Sequence, residues 1–174
     1  MLGSGAGSLA APAPALRDLD GVLRQPLAAP QGRGVALLFI ADDCPISNSY
    51  APEINRLAAR AASHNMPFYL VNTDTHVTVE EVRKHGQEYG LTCPTLLDPK
   101  HVLAKYAGAT ATPEAVVYSP NGTLVYRGRI DNRYVDFGKV RPQATTHDLR
   151  AALDAFWAHK LVPPRETKPV GCYI

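Results

Sequence analysis

The stretch Val35–Asn48, VALLFIADDCPISN, constrains the fold more than any other part of the chain. Its apolar run, Val35–Ala41, is too short for a core helix and rich in branched residues, as suits a strand buried on both faces. Asp42, Asp43, Cys44 and Pro45 follow, and then helical spacing begins. A strand that ends by delivering a cysteine to the first turn of a helix has a chemical consequence. The free N–H groups and dipole at a helix start favour an anion, so a thiolate there is stabilised over the thiol. Cys44 is therefore the candidate nucleophile.

The flanking residues agree with that geometry. Pro45 suits the first helical position, where its missing N–H costs nothing. Ser47, one turn in, is placed to donate its hydroxyl to the sulfur. Pro52 predicts a kink, after which Ile54, Leu57, Ala58 and Ala61 form an amphipathic stripe. Asp42 and Asp43 oppose ionisation, because adjacent carboxylates raise a thiol pKa.

The chain has 174 residues, with 45% hydrophobic and 20% charged residues. That suits one domain with a substantial core. A net charge of +2, without a basic run, points to neither nucleic acid nor membrane surface. No apolar stretch is long enough to span a bilayer. Three cysteines, Cys44, Cys93 and Cys172, are too few for a disulfide scaffold, and an odd count leaves at least one unpaired.

In chain order, residues 1–15 read as a flexible leader. Ser8–Ala13 looks like the end of an export signal whose basic and apolar regions are missing. The expected location is periplasmic or exported if this is a trimmed signal, and cytoplasmic otherwise. Leu16–Ala29 predicts a short hairpin. Pro67–Asn72 predicts a second parallel strand. Thr78–Tyr89 predicts a helix capped by Thr78. Thr95–Asp98 predicts a small edge strand, and Lys100–Tyr106 another brief helix. Strand–helix alternation implies parallel pairing through right-handed crossovers. Asn121-Gly122 between two apolar runs signals a hairpin, and Asp148–Trp157 closes the fold as a helix. Asp131–Tyr134 reads as a solvated polar loop. Residues 161–174, with three prolines and no period, read as a tail carrying Cys172 and having no element of its own.

Cys44-Pro45-Ile46-Ser47 at the start of a helix, with Pro52 further on, resembles the Cys-x-x-Cys site of the thioredoxin superfamily, with serine in place of the second cysteine. Thr112-Pro113 ahead of the hairpin resembles the superfamily's Thr-Pro, whose proline is cis and packs beside the active cysteine. The 68 residues from Cys44 to Thr112 exceed what a minimal thioredoxin needs. They are similar to the redoxin and thiol-specific-antioxidant branch, as is the pairing of Asp-Cys-Pro-Ile-Ser-Asn with a closing Gly-Cys-x-Ile. The resemblance covers roughly residues 16–160. It implies a thioredoxin-like three-layer α/β sandwich, with a mixed central sheet and helices on both faces.

The resemblance further implies a thiol–disulfide oxidoreductase. Cys44 attacks a disulfide, Pro45, Ile46 and Ser47 shape the site, and Thr112 and Pro113 orient the substrate. Cys172, or alternatively Cys93, resolves the mixed disulfide, as a mobile cysteine does in some peroxiredoxins. The expected partner is a protein or small-molecule disulfide or thiol; no cofactor and no metal is expected. Two alternatives stand beside this reading. A peroxidase would oxidise Cys44 to a sulfenic acid, but Ala41 and Leu37 stand where peroxiredoxins keep threonine and proline, and no arginine falls near Thr112-Pro113. A copper-binding or redox-inactive module would need Cys172 with His76, His85 or His101, because Asn48 occupies the second-cysteine position of Sco-type carriers.

Overall fold

The computed structural model describes residues 12–28, 32–162 and 164–174. The expected leader therefore lies largely outside the described residues. β3 (Val35–Ile40) runs through the centre of a seven-stranded sheet with every residue buried. Its side chains alternate between two cores, as a strand covered on both faces requires. Leu38 and Ile40 join α1 (Pro45–Ser49), α2 (Ala51–Ser63) and α5 (Asp148–Trp157) on one face. Leu37 and Phe39 meet α4 (Val102–Ala107) on the other.

β4 (Phe68–Asn72) lies parallel to β3, and β5 (Thr95–Leu97) lies parallel to β4. β7 (Glu114–Tyr118) and β8 (Leu124–Gly128) form the expected hairpin, antiparallel on the other side of β3. The early hairpin, β1 (Leu16–Asp18) with β2 (Leu23–Arg24), pairs antiparallel with β5. The sheet order is β2-β1-β5-β4-β3-β7-β8, a mixed sheet between helical layers. β5 is thus interior rather than the expected edge, because β1 covers it. A two-stranded hairpin, β9 (Tyr134–Asp136) with β10 (Lys139–Val140), stands outside the sheet. No helix of the described residues is long and apolar enough to cross a membrane.

Local chemistry fixes the helix ends. α3 (Val79–Glu88) begins with a full capping box between Thr78 and Glu81, which satisfies two orphan donors reciprocally. α4 has no side-chain cap at its N-cap residue His101. The buried Asp98 carboxylate serves instead, accepting from the amides of Val102, Leu103 and Ala104 at 2.7, 3.0 and 2.9 Å. Near Pro52 the helix is divided rather than merely bent: α1 ends at Ser49, and α2 starts at Ala51 with the proline in its first turn. Ile54 and Leu57 of α2 are 1% exposed, each contributing about 1.5–3 kcal/mol by leaving water.

The segment after α5 corrects the expectation of a tail with no element of its own. Arg127 N–H donates to Arg165 O at 2.9 Å, and Thr167 N–H donates to Arg127 O at 3.0 Å. This parallel bridge centres on Arg127 and Glu166, which also form an ion pair at 2.9 Å. The Thr167 hydroxyl shares a 2.6 Å hydrogen bond with Tyr126 Oη. Gly128 admits Thr167 here, since a Cβ would lie 2.2 Å from its hydroxyl oxygen and φ is +145°. β11 (Cys172–Tyr173) then pairs antiparallel with β6 (Ala111–Thr112). A proline-rich, aperiodic segment is held because its backbone groups find partners on two distant strands.

Candidate active site

Cys44 follows directly from the end of β3 and is the N-cap of α1. It is fully buried. The Ser47 amide donates to its sulfur at 3.5 Å. The Ser47 hydroxyl, the expected donor, is buried beside the sulfur with no other partner and also favours the thiolate. In its thiol form Cys44 donates to the Thr112 carbonyl at 3.1 Å. The Thr112–Pro113 bond is cis, so the structure brings this dipeptide to the cysteine. Pro45 occupies the first turn, and Ile46 and Ser47 are buried beneath the site.

The register of β11 on β6 sets Cys172 opposite Thr112, whose carbonyl accepts from Cys44, and this brings the Cys172 thiol close enough to act on the ionisation of Cys44. Burial pushes the Cys44 thiol up, but hydrogen bonds from Cys172 and the Ser47 amide outweigh it. Cys44 therefore ionises below the ordinary cysteine range. Cys172 moves the other way. Burial, the hydrogen bond to Cys44 and the negative charge nearby push it up to about 12. Of the reduced pair Cys44 therefore ionises first, with Cys172 keeping its proton as the donor. Asp43 adds to the rise at Cys172.

Cys93 is elsewhere. It packs beside Ala58 and Met66 around a cavity of about 330 Å³. The pairing of Leu70 with both Leu38 and Thr95 places Cys93 level with Ala36, near the start of β3. Cys44 follows the other end, about 13 Å or more away at 3.3 Å per residue. A disulfide needs Cα atoms within roughly 7 Å, so the fold brings Cys172, and not Cys93, to Cys44. Burial pushes Cys93 up to about 11.

Three features beneath the site were not legible as functional in the sequence. Asp42 Oδ1 accepts from Asn72 Nδ2 at 2.7 Å and lies 3.1 Å from His85 Nδ1. Asn48 links the same group, donating to Asp42 O at 2.9 Å and facing His85 Nε2 at 2.8 Å. Burial first, then Asp74, pushes the Asp42 carboxyl up to about 7, while burial lowers His85. Asp42 faces this network, which corrects the expectation that both carboxylates act on the Cys44 thiol. Glu114, also buried, accepts from the amides of Thr110 and Ala111 at 2.7 and 3.2 Å, fixing the β6 backbone. Asp131, expected in a solvated loop, is buried instead. It accepts from Tyr50 Oη at 2.5 Å, and Tyr134 Oη donates to Ser49 at 2.9 Å, so this loop braces α1 from behind.

Cys172 with a histidine does not form a metal site. His85 is engaged by Asp42 and Asn48, and His101 Nε2 lies 2.8 Å from Thr73 O. Among the described residues no group of three or more His, Cys, Asp or Glu side chains is arranged to hold a metal ion.

The sequence model of the AhpC/TSA family matches residues 9–127. No curated protein matches the chain. Among solved structures, an uncharacterized conserved protein from Geobacillus kaustophilus is 25% identical. The alignment covers 93% of this chain and 88% of that one, with a TM-score of 0.78. A hypothetical protein from Sinorhizobium meliloti 1021 is 27% identical, with 98% and 95% covered and a TM-score of 0.78. A secreted Mycobacterium tuberculosis disulfide oxidoreductase homologous to E. coli DsbE shares the fold at 21% identity. There 82% and 96% are covered, with a TM-score of 0.60.

Proposed function

The chain belongs to the AhpC/TSA family, and from that premise we propose that it is a thiol–disulfide oxidoreductase in which Cys44 attacks and Cys172 resolves. The observation that carries this reading is the pairing of Cys172 against Thr112, which sets the second thiol on the first. The Cys44 thiolate attacks one sulfur of a substrate disulfide. One thiolate leaves, and the substrate's other half stays joined to Cys44. Cys44 is then neutral, so neither its charge nor its hydrogen bond still raises Cys172. Cys172 loses its proton to solvent and attacks Cys44 Sγ, releasing the second substrate thiolate and forming the Cys44–Cys172 disulfide. An external thiol reductant reverses the bridge. The redox change is balanced, since one disulfide is reduced as another forms.

The same site supports peroxide chemistry less well. Cys44 is contacted by Ser47, Thr112 and Cys172, and among the described residues no arginine hydrogen-bonds it. Activating a peroxide O–O bond calls for such a charge beside the sulfur.

The test is peptide mapping after oxidation with a small disulfide. Wild type should yield the Cys44–Cys172 bridge, and Cys172→Ser should hold the substrate half on Cys44. A bridge containing Cys93, or a first adduct on Cys172, would refute the assignment.

A further inference from the structure

β6 is two residues long, and among the described residues its strand partner is β11. An unpaired strand edge beside a reactive sulfur is where an extended polypeptide would add by backbone hydrogen bonding. Here the chain itself fills that place. Ile174 N–H donates to Thr110 O at 3.1 Å, and the Thr112 hydroxyl donates to Cys172 O at 3.4 Å. Gly171 lies directly against the Thr112–Pro113 peptide. A Cβ on it would stand 1.9 Å from Thr112 O and 2.6 Å from the Thr112 carbonyl carbon, so any larger residue forces the strand away. The same segment is tethered upstream through Thr167 and Glu166, and Cys44 behind it has no exposed surface.

We propose that residues 171–174 are an internal strand occupying the substrate edge of the site, so that the reduced protein selects compact, low-molecular-weight disulfides over extended polypeptide disulfides. This rests on the reading of Cys44 as the attacking thiol. The two substrate classes make different demands. A compact disulfide reaches Cys44 when the Cys172 side chain, itself partly exposed, turns aside while the β6–β11 hydrogen bonds persist. An extended chain would need those backbone bonds for itself, so all of β11 must leave first.

The experiment uses the Cys93→Ser, Cys172→Ser protein, which reacts once at Cys44 and cannot resolve. Its reaction with 5,5′-dithiobis(2-nitrobenzoate) is compared with that of an unstructured ten-residue peptide (about 35 Å when extended) whose cysteine carries the same nitrothiobenzoate group. Released thionitrobenzoate is followed by absorbance, and the ratio of peptide rate to small-disulfide rate is the readout. Adding Gly171→Ala, which blocks docking of the strand, should raise that ratio at least tenfold. Ending the chain at Pro169 should raise it similarly, and serves if the glycine variant does not fold. An unchanged ratio in both variants would overturn the proposal while leaving the attacking thiol in place. No reaction at Cys44 with either reagent would overturn the underlying reading and the proposal with it.

Discussion

Oxidation to the Cys44–Cys172 bridge should raise thermal stability by an amount that can be worked from the fold. The bridge closes a loop of about 130 residues, and the chain-entropy relation gives about 5 kcal/mol of destabilisation of the unfolded chain. In a folded chain of this size each kcal/mol moves Tm by about 2–4 °C, so the ceiling is a rise of about 10–20 °C. Native distortion subtracts from the ceiling. It should be small, because β11 is already paired with β6 in the reduced state and Cys172 already meets Cys44. The assay is calorimetric or circular-dichroism melting of reduced and oxidised protein side by side. The expected rise is at least about 5 °C, retained in Cys93→Ser and abolished in Cys172→Ser. An oxidised wild type melting at the same temperature as the reduced form would refute the argument that the second thiol is pre-positioned. So would a rise that survives in Cys172→Ser.

Three further outcomes follow from the site. Cys44→Ala should bring the Cys172 pKa down from about 12 towards the ordinary thiol value, leaving the upward push of burial and of Asp43; alkylation rate against pH measures it. Asp42→Asn should reduce the loss of stability with rising pH. A carboxyl whose folded pKa is about 7 binds more protons folded than unfolded, so stability falls between about pH 4 and pH 7. Urea titrations at pH 5 and pH 8 should show the variant gaining on the order of 1 kcal/mol relative to wild type at the higher pH. Tyr50→Phe removes the hydrogen bond to buried Asp131 and should cost about 1–3 kcal/mol, read as a lower urea midpoint with the m-value unchanged.

The parts of the fold that were legible in the sequence carry their signal locally. Val35–Ile40 announces a doubly buried strand through its unbroken apolar run. Thr78 announces a helix cap, and Asn121-Gly122 announces a hairpin. Cys44-Pro45 announces a helix start with a thiol on it. The illegible parts depend on residues far apart in the chain. β5 looks like an edge until β1, from the opening hairpin, covers it. Asp131 reads as part of a solvated loop, because its partner Tyr50 lies 81 residues away. β11 is too short to show a period of two, and its partner β6 is about 60 residues earlier. Gly171 was the one available cue: beside a cysteine, a residue without Cβ permits close backbone contact.

The account's central claim, that Cys44 attacks and Cys172 resolves within one chain, is tested most directly by counting released thiol. Reduced Cys93→Ser protein mixed with one equivalent of 5,5′-dithiobis(2-nitrobenzoate) should release two equivalents of thionitrobenzoate in two phases. The first comes from attack by Cys44 and the second from attack by Cys172 on the mixed disulfide. Adding Cys172→Ser should leave one equivalent and only the first phase, and adding Cys44→Ser should remove the fast phase. A single equivalent from the protein that retains both Cys44 and Cys172, or a fast phase that survives Cys44→Ser, would contradict the account.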